Sequence, residues 1–384
     1  MNQKLIEYIK SNFKSSFKTN PTLVFSPGRI NLIGGHTDYN NGFVLPAAID
    51  KGIVAAIDKS DSEYSSVVAL DVNEQLDFSL KNTQTIKNGS WKNYVIGVVA
   101  EIQKFGKQLE NFNLVFGGDI ANGAGLSSSA ALENSVVFGL NELFQLGLSK
   151  KEMIFISQKA EHNYVGVKCG IMDQYASMFG KDNSAILLDC RNLEATTFNI
   201  DFKDYKVLLI NTNVKHSLAE SVYNERRSVC EKIALQLGIN ALRAASEKDL
   251  FTIKNKIPED DYQKALYVTQ ENDRVLQASK AIKHNDIELL GKLLYASHKG
   301  LQHQYKVSCD ELDFLVDYAK KNTDVVGARM MGGGFGGCTI NIVKKDAIKA
   351  YKKDVSQAYK ENFNANCSFY VVNLSAGTRV IETN

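Results

Sequence analysis

The stretch Gly123-Ala-Gly-Leu-Ser-Ser-Ser129, followed at once by Ala130, Ala131 and Leu132, constrains this chain more than any other. Leu132, Val136, Leu140, Leu143 and Phe144 recur at helical spacing, which predicts a helix beginning near Ser129. Gly123 and Gly125 let the backbone come close to a ligand. A glycine turn opening onto a helix start presents free N–H groups and the positive end of the helix dipole, a combination that suits a phosphate. The hydroxyls of Ser127, Ser128 and Ser129 could hold a magnesium ion. The plainer reading is a serine N-cap on an ordinary helix. A Walker A loop is excluded, because it needs Lys and Ser/Thr after its last glycine and Gly125 is followed by Leu126.

A second segment, Pro27 to Gly42, gathers Arg29, His36, Thr37 and Asp38 in a loop rich in turn-forming residues behind apolar Ile30, Leu32 and Ile33. A short carboxylate flanked by donors suits sugar hydroxyls, and a guanidinium suits a phosphoryl group. The alternative is a solvated loop with an Asx-turn at Asp38. Further on, Ser149 to Glu152 forms a capping box that opens a helix on which Ile154, Ser157 and Glu161 share one face. A carboxylate turned inward needs a partner, and a cation would serve; otherwise Glu161 is a surface residue beside Lys159. Asp173 stands after Ile171 and Met172, a reasonable address for a carboxylate that takes a proton from a hydroxyl, or for the cap of the turn starting at Gln174. Trp91, the only tryptophan, opens a helix and serves either core packing or an adenine face.

Periodicity predicts a surface helix over 5–17 and a strand at 22–25. Strands at 52–57, 66–70 and 76–80 read as a meander, and another strand at 112–116 leads into the phosphate loop. Buried strands at 185–189 and 206–210 mark a domain boundary. Helices are predicted over 223–237, 259–283, 287–299 and 308–320. Gly332, Gly334 and Gly337 satisfy GxGxxG, but Cys338 to Val343 alternates as a strand and not a helix. A glycine hairpin lining a site between domains, or a turn where two backbones pass closely, fits better than a dinucleotide fold.

The 384 residues carry 45 basic and 43 acidic side chains, well mixed, for a net charge of +2. Nothing here recommends nucleic acid or an anionic membrane as partner. No apolar run reaches spanning length, the start lacks a signal-peptide core, and the six cysteines form no CxxC pair. A reduced, cytoplasmic enzyme acting on small molecules is expected, with domains packed closely since no Gly/Ser linker separates them.

Three segments together carry a resemblance. Gly28 to Gly34 with His36-Thr-Asp-Tyr-Asn40 resembles the galactokinase signature. Gly125-Leu-Ser-Ser-Ser-Ala-Ala131 is similar to the ATP motif of the wider superfamily of galactokinase, homoserine kinase, mevalonate kinase and phosphomevalonate kinase. Gly332 to Cys338 is similar to that superfamily's third, glycine-rich motif.

The resemblance implies an α+β, two-domain small-molecule kinase fold. A ribosomal protein S5 domain 2-like domain over 1–185 would be followed by a ferredoxin-like domain over 186–384, with the site in the cleft between. It implies ATP and Mg2+, and phosphorylation of α-D-galactose at the C1 hydroxyl. Carried over by position, Gly123, Ala124, Gly125, Leu126, Ser127, Ser128 and Ser129 form the phosphate loop, with Trp91 near the adenine. Ser129 and Glu161 match metal ligands. Asp173 matches the catalytic base and Arg29 its companion. Gly35, His36, Thr37, Asp38, Gly170 and Tyr223 match sugar contacts. A monomer is implied.

Two positions depart from the family. Gly35 stands where the family has a Glu that accepts from the sugar's 6-hydroxyl, which implies weaker galactose affinity, a water in the gap, or tolerance of a changed C6. Ala121 stands where Pro is common. The rival readings are a kinase for a C6-altered or N-acetylated relative of galactose, and a sensor that binds sugar and ATP without turnover. The intact serine triplet and Asp173 argue against the sensor.

Overall fold

The computed structural model of the chain describes residues 2–120, 123–214 and 219–382, so Ala121 lies outside the described residues. The first half runs α1 (Gln3–Phe17), β1 (Thr22–Asn31), β2 (Phe43–Val44), β3 (Pro46–Lys59), β4 (Ser65–Ala69), β5 (Glu74–Phe78), α2 (Trp91–Lys104), β6 (Phe112–Gly118), α3 (Ser128–Phe144), α4 (Lys150–Ala160) and α5 (Met172–Phe179). Then come β7 (Ser184–Asp189), β8 (Glu194–Asn199), β9 (Tyr205–Asn211), α6 (Ala219–Gln236), α7 (Glu247–Ile253), α8 (Glu259–Lys283) and α9 (Ile287–Gly300). The chain closes with α10 (Asp310–Lys321), β10 (Val325–Met330), β11 (Cys338–Lys344), α11 (Ile348–Phe363), β12 (Ser368–Val372) and β13 (Arg379–Val380).

The first sheet has the order β13-β1-β3-β6-β4-β5. The expected meander is corrected here. Only β4 and β5 form a hairpin; β6 inserts beside β3 and runs parallel to β4 after crossing through α2. The reason lies in β6 itself. Phe112, Leu114 and Phe116 enter the core under α2 and α3, while Val115 enters a second core under α1, with Ile6, Ile9 and Phe13. A strand apolar on both faces belongs at the centre of a covered sheet.

The second large sheet has the order β10-β11-β9-β12 with every neighbour antiparallel. Its faces also feed two cores. Leu208 and Ile210 pack toward α10 and α11, whereas Val207 and Leu209 join Ile340 and Ile342 under α8 and α9. That last core also holds Ile30 of β1 and Leu32 just after it, together with Ala124 and Leu126 of the glycine turn. One apolar cluster therefore ties the end of β1, the turn before α3 and the second sheet together. The expected domain junction at 185/186 falls inside β7, which pairs with β2 and β8 in a small third sheet. The C-terminal β13 returns to pair with β1. All six cysteines are free thiols. Among the described residues no helix is long and apolar enough to cross a membrane.

Candidate active site

β1 ends in the segment that carries the chemistry. Its Gly28 has no room for a side chain, since a Cβ there would sit 2.7 Å from the Leu126 carbonyl oxygen. That close approach lets the Arg29 N–H donate to Leu126 O at 3.1 Å and the Arg29 Nη1 donate to Gly125 O at 2.6 Å. The same guanidinium grips Asp173 with two parallel bonds, Nε to Oδ1 and Nη2 to Oδ2, both 2.7 Å. Ser127 Oγ donates to Asp173 Oδ2 at 2.5 Å. A planar fork on a carboxylate fixes orientation as well as charge.

Helix α3 starts at Ser128, one residue before the sequence places it. Ser127 occupies the N-cap position with φ +58°, and its side chain makes no cap bond. The plainer N-cap reading therefore fails for Ser127, whose hydroxyl serves Asp173 instead. The N–H groups of the first α3 turn are left for a ligand. Ala124 and Leu126 are anchored in the core, so only their backbone faces the turn. Asp173 does not cap α5 either: it lies in the first turn, with Ile171 in the cap position.

Opposite the turn stands the glycine hairpin between β10 and β11. A Cβ on Gly125 would sit 3.2 Å from Met331 O, one on Gly332 would sit 3.2 Å from Gly125 Cα, and one on Gly337 would sit 3.3 Å from Gly123 O. Two backbones pass here so closely that a side chain on any of these three glycines would crowd the opposite chain. The hairpin also lines the site, since Gly333 lies beside the Tyr223 ring.

Behind α3 three acidic groups converge. Glu161 is buried, and Gln174 Nε2 donates to it at 2.8 Å and to Glu133 at 3.2 Å. Burial and the neighbouring Asp173 charge push the Glu161 carboxyl up to about 7, against hydrogen bonds from Cys169, Ser129 and Gln174. Burial and the Glu161 charge push Glu133 well above the usual carboxylate range. Among the described residues Arg29 is the guanidinium bonded to this group, on Asp173. A divalent cation fits here, because it would favour the ionised form of carboxyls that burial and their neighbours otherwise hold protonated. Among the described residues no three His, Cys, Asp or Glu side chains form a cage. Magnesium in kinase sites needs only one or two protein groups beside phosphates and waters, so Ser129 and Glu161 suffice in kind.

The 35–40 loop forms the other wall. Asp38 packs directly on Gly170, where any Cβ would overlap its carboxylate. Burial and the Asp173 charge raise the Asp38 carboxyl to about 6, in spite of the Tyr39 N–H, Arg29 and Arg227. His36, at φ +63°, lies with ring centroids 5.5 Å from Tyr223 and 4.9 Å from Tyr305. Its Nδ1 shares a hydrogen bond of 2.8 Å with Tyr39 Oη, which in turn meets Tyr305 Oη at 2.7 Å. Burial, then Arg329 and Arg226, lower the imidazole to about 3, so it is neutral at physiological pH. Thr37 is fully buried with its hydroxyl on the carbonyls of Gly34 and Phe43, so its side chain braces the loop. Gly35 carries no side chain, and a Cβ there would sit 2.8 Å from Arg329 Nη2.

Trp91 lies apart from this constellation, with its ring 5.4 Å from Phe116 and its Nε1 on Glu74 at 3.0 Å. Sequence reasoning missed Glu133 and Arg329. Glu133 is four residues past Ser129 on one helix, and Arg329 is a lone charge in the apolar run Val325 to Met331. Both patterns were readable.

Comparison with known proteins agrees with this geometry. The family model for the N-terminal domain of GHMP kinases matches 93–181, that for the galactokinase galactose-binding signature matches 11–59, and that for the C-terminal domain of GHMP kinases matches 278–361. The chain is 42% identical to the galactokinase of Clostridium beijerinckii over 98% of its own length and 99% of the relative's. It is 41% identical to that of Thermosipho africanus, over 94% and 99%. The crystal structure of Lactococcus lactis galactokinase complexed with galactose superposes with a TM-score of 0.93 at 34% identity, covering 98% of this chain and 99% of that one. Methanococcus jannaschii mevalonate kinase shares the fold at a TM-score of 0.67 and 17% identity, covering 93% and 99%. With the two GHMP kinase domains and the galactose-binding signature in place, the chain belongs to the galactokinase family.

Proposed function

We propose that this chain transfers the γ-phosphoryl group of ATP to the C1 hydroxyl of α-D-galactose, giving galactose 1-phosphate and ADP. One observation carries the reading: the Asp173 carboxylate is clamped by Arg29 and Ser127 at the opening of α3, and the same arginine reaches the carbonyl of Gly125. Kinship with galactokinases supports galactose as the acceptor.

Phosphoryl transfer depends on positioning and charge neutralisation more than on covalent chemistry. In this reading the sugar O1 attacks the γ-phosphorus, the O1–P bond forms, the bond from phosphorus to the β,γ-bridging oxygen breaks, and ADP leaves. The O1 proton passes to Asp173. Each Asp173 oxygen keeps acceptor capacity beyond its present bonds, and Arg29 holds the carboxylate at a fixed distance from the turn. A positioned base of this kind contributes typically ~10²–10⁴-fold.

Gly123 to Ser129 receive the phosphates through backbone N–H groups at the helix start. Ser129 and Glu161 would hold Mg2+, which when bound would neutralise charge on the phosphate oxygens. Asp38, His36, Tyr223 and the backbone of Gly170 hold the sugar hydroxyls, with Gly35 and Thr37 contributing main chain. Trp91 has no part in this reading, since its ring packs on Phe116 and its Nε1 donates to Glu74. The enzyme works as a monomer in the cytoplasm, where six free thiols persist.

A coupled ADP-release assay over a panel of sugars tests the proposal. Galactose-dependent ADP release supports it; release that ignores galactose, or none with any sugar, rejects it.

A further inference from the structure

Two neighbouring residues of α5 serve different parts of the site. Asp173 turns to Arg29 and Ser127. Gln174, about 100° further round the helix, is fully buried. Its Nε2 donates to Glu161 Oε2 at 2.8 Å and to Glu133 Oε2 at 3.2 Å. One amide nitrogen thus gives its two hydrogens to carboxyls carried by two other helices. The opposite amide orientation would set a carbonyl against two carboxyl oxygens, which fixes the assignment.

The backbone of Gln174 is held as well. Asn134 Nδ2 donates to its carbonyl at 2.9 Å, and Ser157 Oγ donates to Asn134 Oδ1 at 3.0 Å. Helices α3, α4 and α5 meet in this polar knot, where Glu133, Asn134, Ser157 and Gln174 are all shut off from solvent. The knot is a poor device for stability. Among the described residues Glu133 Oε1 and Gln174 Oε1 have no hydrogen-bond partner. A buried network satisfied only in part is less stable than an apolar contact of the same shape.

Its use lies in what it holds, which is Glu161. That residue ends α4 and opens a π-turn over Glu161–Val165, where the regular spacing that sets side-chain direction stops. Side-chain donors set the direction instead. Gln174 Nε2 and, at 3.5 Å, Cys169 Sγ both donate to Oε2, and the Ser129 hydroxyl bonds to the same carboxyl.

We propose that Gln174 is a positioning residue for the metal: its amide pins Oε2 of Glu161 so that Oε1 is left as the ligand oxygen. This rests on the placement of Mg2+ at Ser129 and Glu161 given above. Gln174 touches neither the metal nor a substrate. Because it adjoins Asp173 on one helical turn, it also ties the metal's ligand to the base. A donor on the far oxygen of a ligating carboxylate orients it before the cation arrives, and losing such a partner typically costs about 10–100-fold in metal affinity.

The test reads Mn2+ binding to the protein with ADP, by the EPR signal of the free ion. Gln174→Met keeps the length of the side chain and removes the amide. It is expected to weaken Mn2+ by about 10–100-fold. Galactose and metal-free ADP, measured by calorimetry, are expected to bind as they do to the native chain, and excess Mg2+ is expected to recover most of the turnover. Asn134→Ala loosens the knot without touching the amide. It is expected to lower the thermal midpoint and leave Mn2+ affinity near native. Gln174→Asn withdraws the amide by one methylene and is expected to weaken Mn2+ in the same direction, so the test stands if Gln174→Met does not fold. Native Mn2+ affinity in a folded Gln174 variant, an equal loss of galactose affinity, or the same Mn2+ loss in Asn134→Ala overturns the inference. Glu161→Gln separates it from the metal placement. Mn2+ lost there but kept in the Gln174 variants overturns the positioning role alone; native Mn2+ affinity in Glu161→Gln overturns the placement and the inference with it.

Discussion

Asp173 and Asp38 face one another across the site and do opposite things to the protein. Asp173 is held by Arg29 and Ser127, so its charge is compensated. Replacing it with Asn removes the proton acceptor but keeps shape. Turnover in the ADP-release assay should fall by ~10²–10⁴-fold or more, with galactose affinity by calorimetry changed only a few-fold. Near-normal turnover would reject Asp173 as the base. Asp38 is buried with its carboxyl raised to about 6 from an ordinary 3.8, chiefly by burial and then by the Asp173 charge. The folded protein therefore binds more protons than the unfolded chain between those two values, and ligand-free stability falls as pH rises through that window. Asp38→Asn removes this term. The variant should match the native chain near pH 4 and exceed it by up to ~3 kcal/mol at pH 7 in denaturant unfolding, while its galactose KM rises. A stability difference that is flat with pH would contradict the account.

At the scale of elements, the site depends on two turns pressed together: the one before α3 and the hairpin between β10 and β11. Gly334 has φ +92°, and a Cβ on it would overlap the Val307 carbonyl, which accepts the Phe335 N–H at 2.8 Å. Gly334→Ala should lower stability by roughly 1–3 kcal/mol, read as a lower urea midpoint with unchanged slope, and should raise the ATP KM as the hairpin lifts from the phosphate loop. The helices of this region were legible because each has its own apolar stripe and stop signals; α8 runs Glu259–Lys283 as its periodicity predicts. Strand pairing was less legible. Nothing local in Gly52 to Leu80 says that β6, which arrives later, will separate β3 from β4. The candidate site was readable as three motifs, since glycines and lone polar groups stand out against apolar runs. Glu133 and Arg329 were visible there as charges among apolar neighbours, but what each of them meets was not, because those partners lie far away in sequence and are set by packing.

Over the whole molecule, a shared core and the returning C-terminus hold the two halves in register. β13 pairs Val380 with Val24 of β1, and Thr378 Oγ1 lies within hydrogen-bond reach of Ser26 Oγ at 3.0 Å and the carbonyl of Ser177 at 3.0 Å. Those contacts brace β1, which carries Arg29, against α5, which carries Asp173. Deleting the residues after Leu374 should lower the thermal midpoint and reduce kcat more than it raises either KM, because it loosens the base and its clamp together. A truncated chain with unchanged kcat would show that the brace is not needed. The central claim is that these elements assemble one site for phosphorylating the anomeric hydroxyl of galactose. Phosphorus NMR of the product formed from ATP, Mg2+ and galactose tests it most directly. The account predicts a single new sugar phosphate coupled to the anomeric proton, formed in step with ADP; a phosphate at another hydroxyl, or ADP without any sugar phosphate, would contradict it.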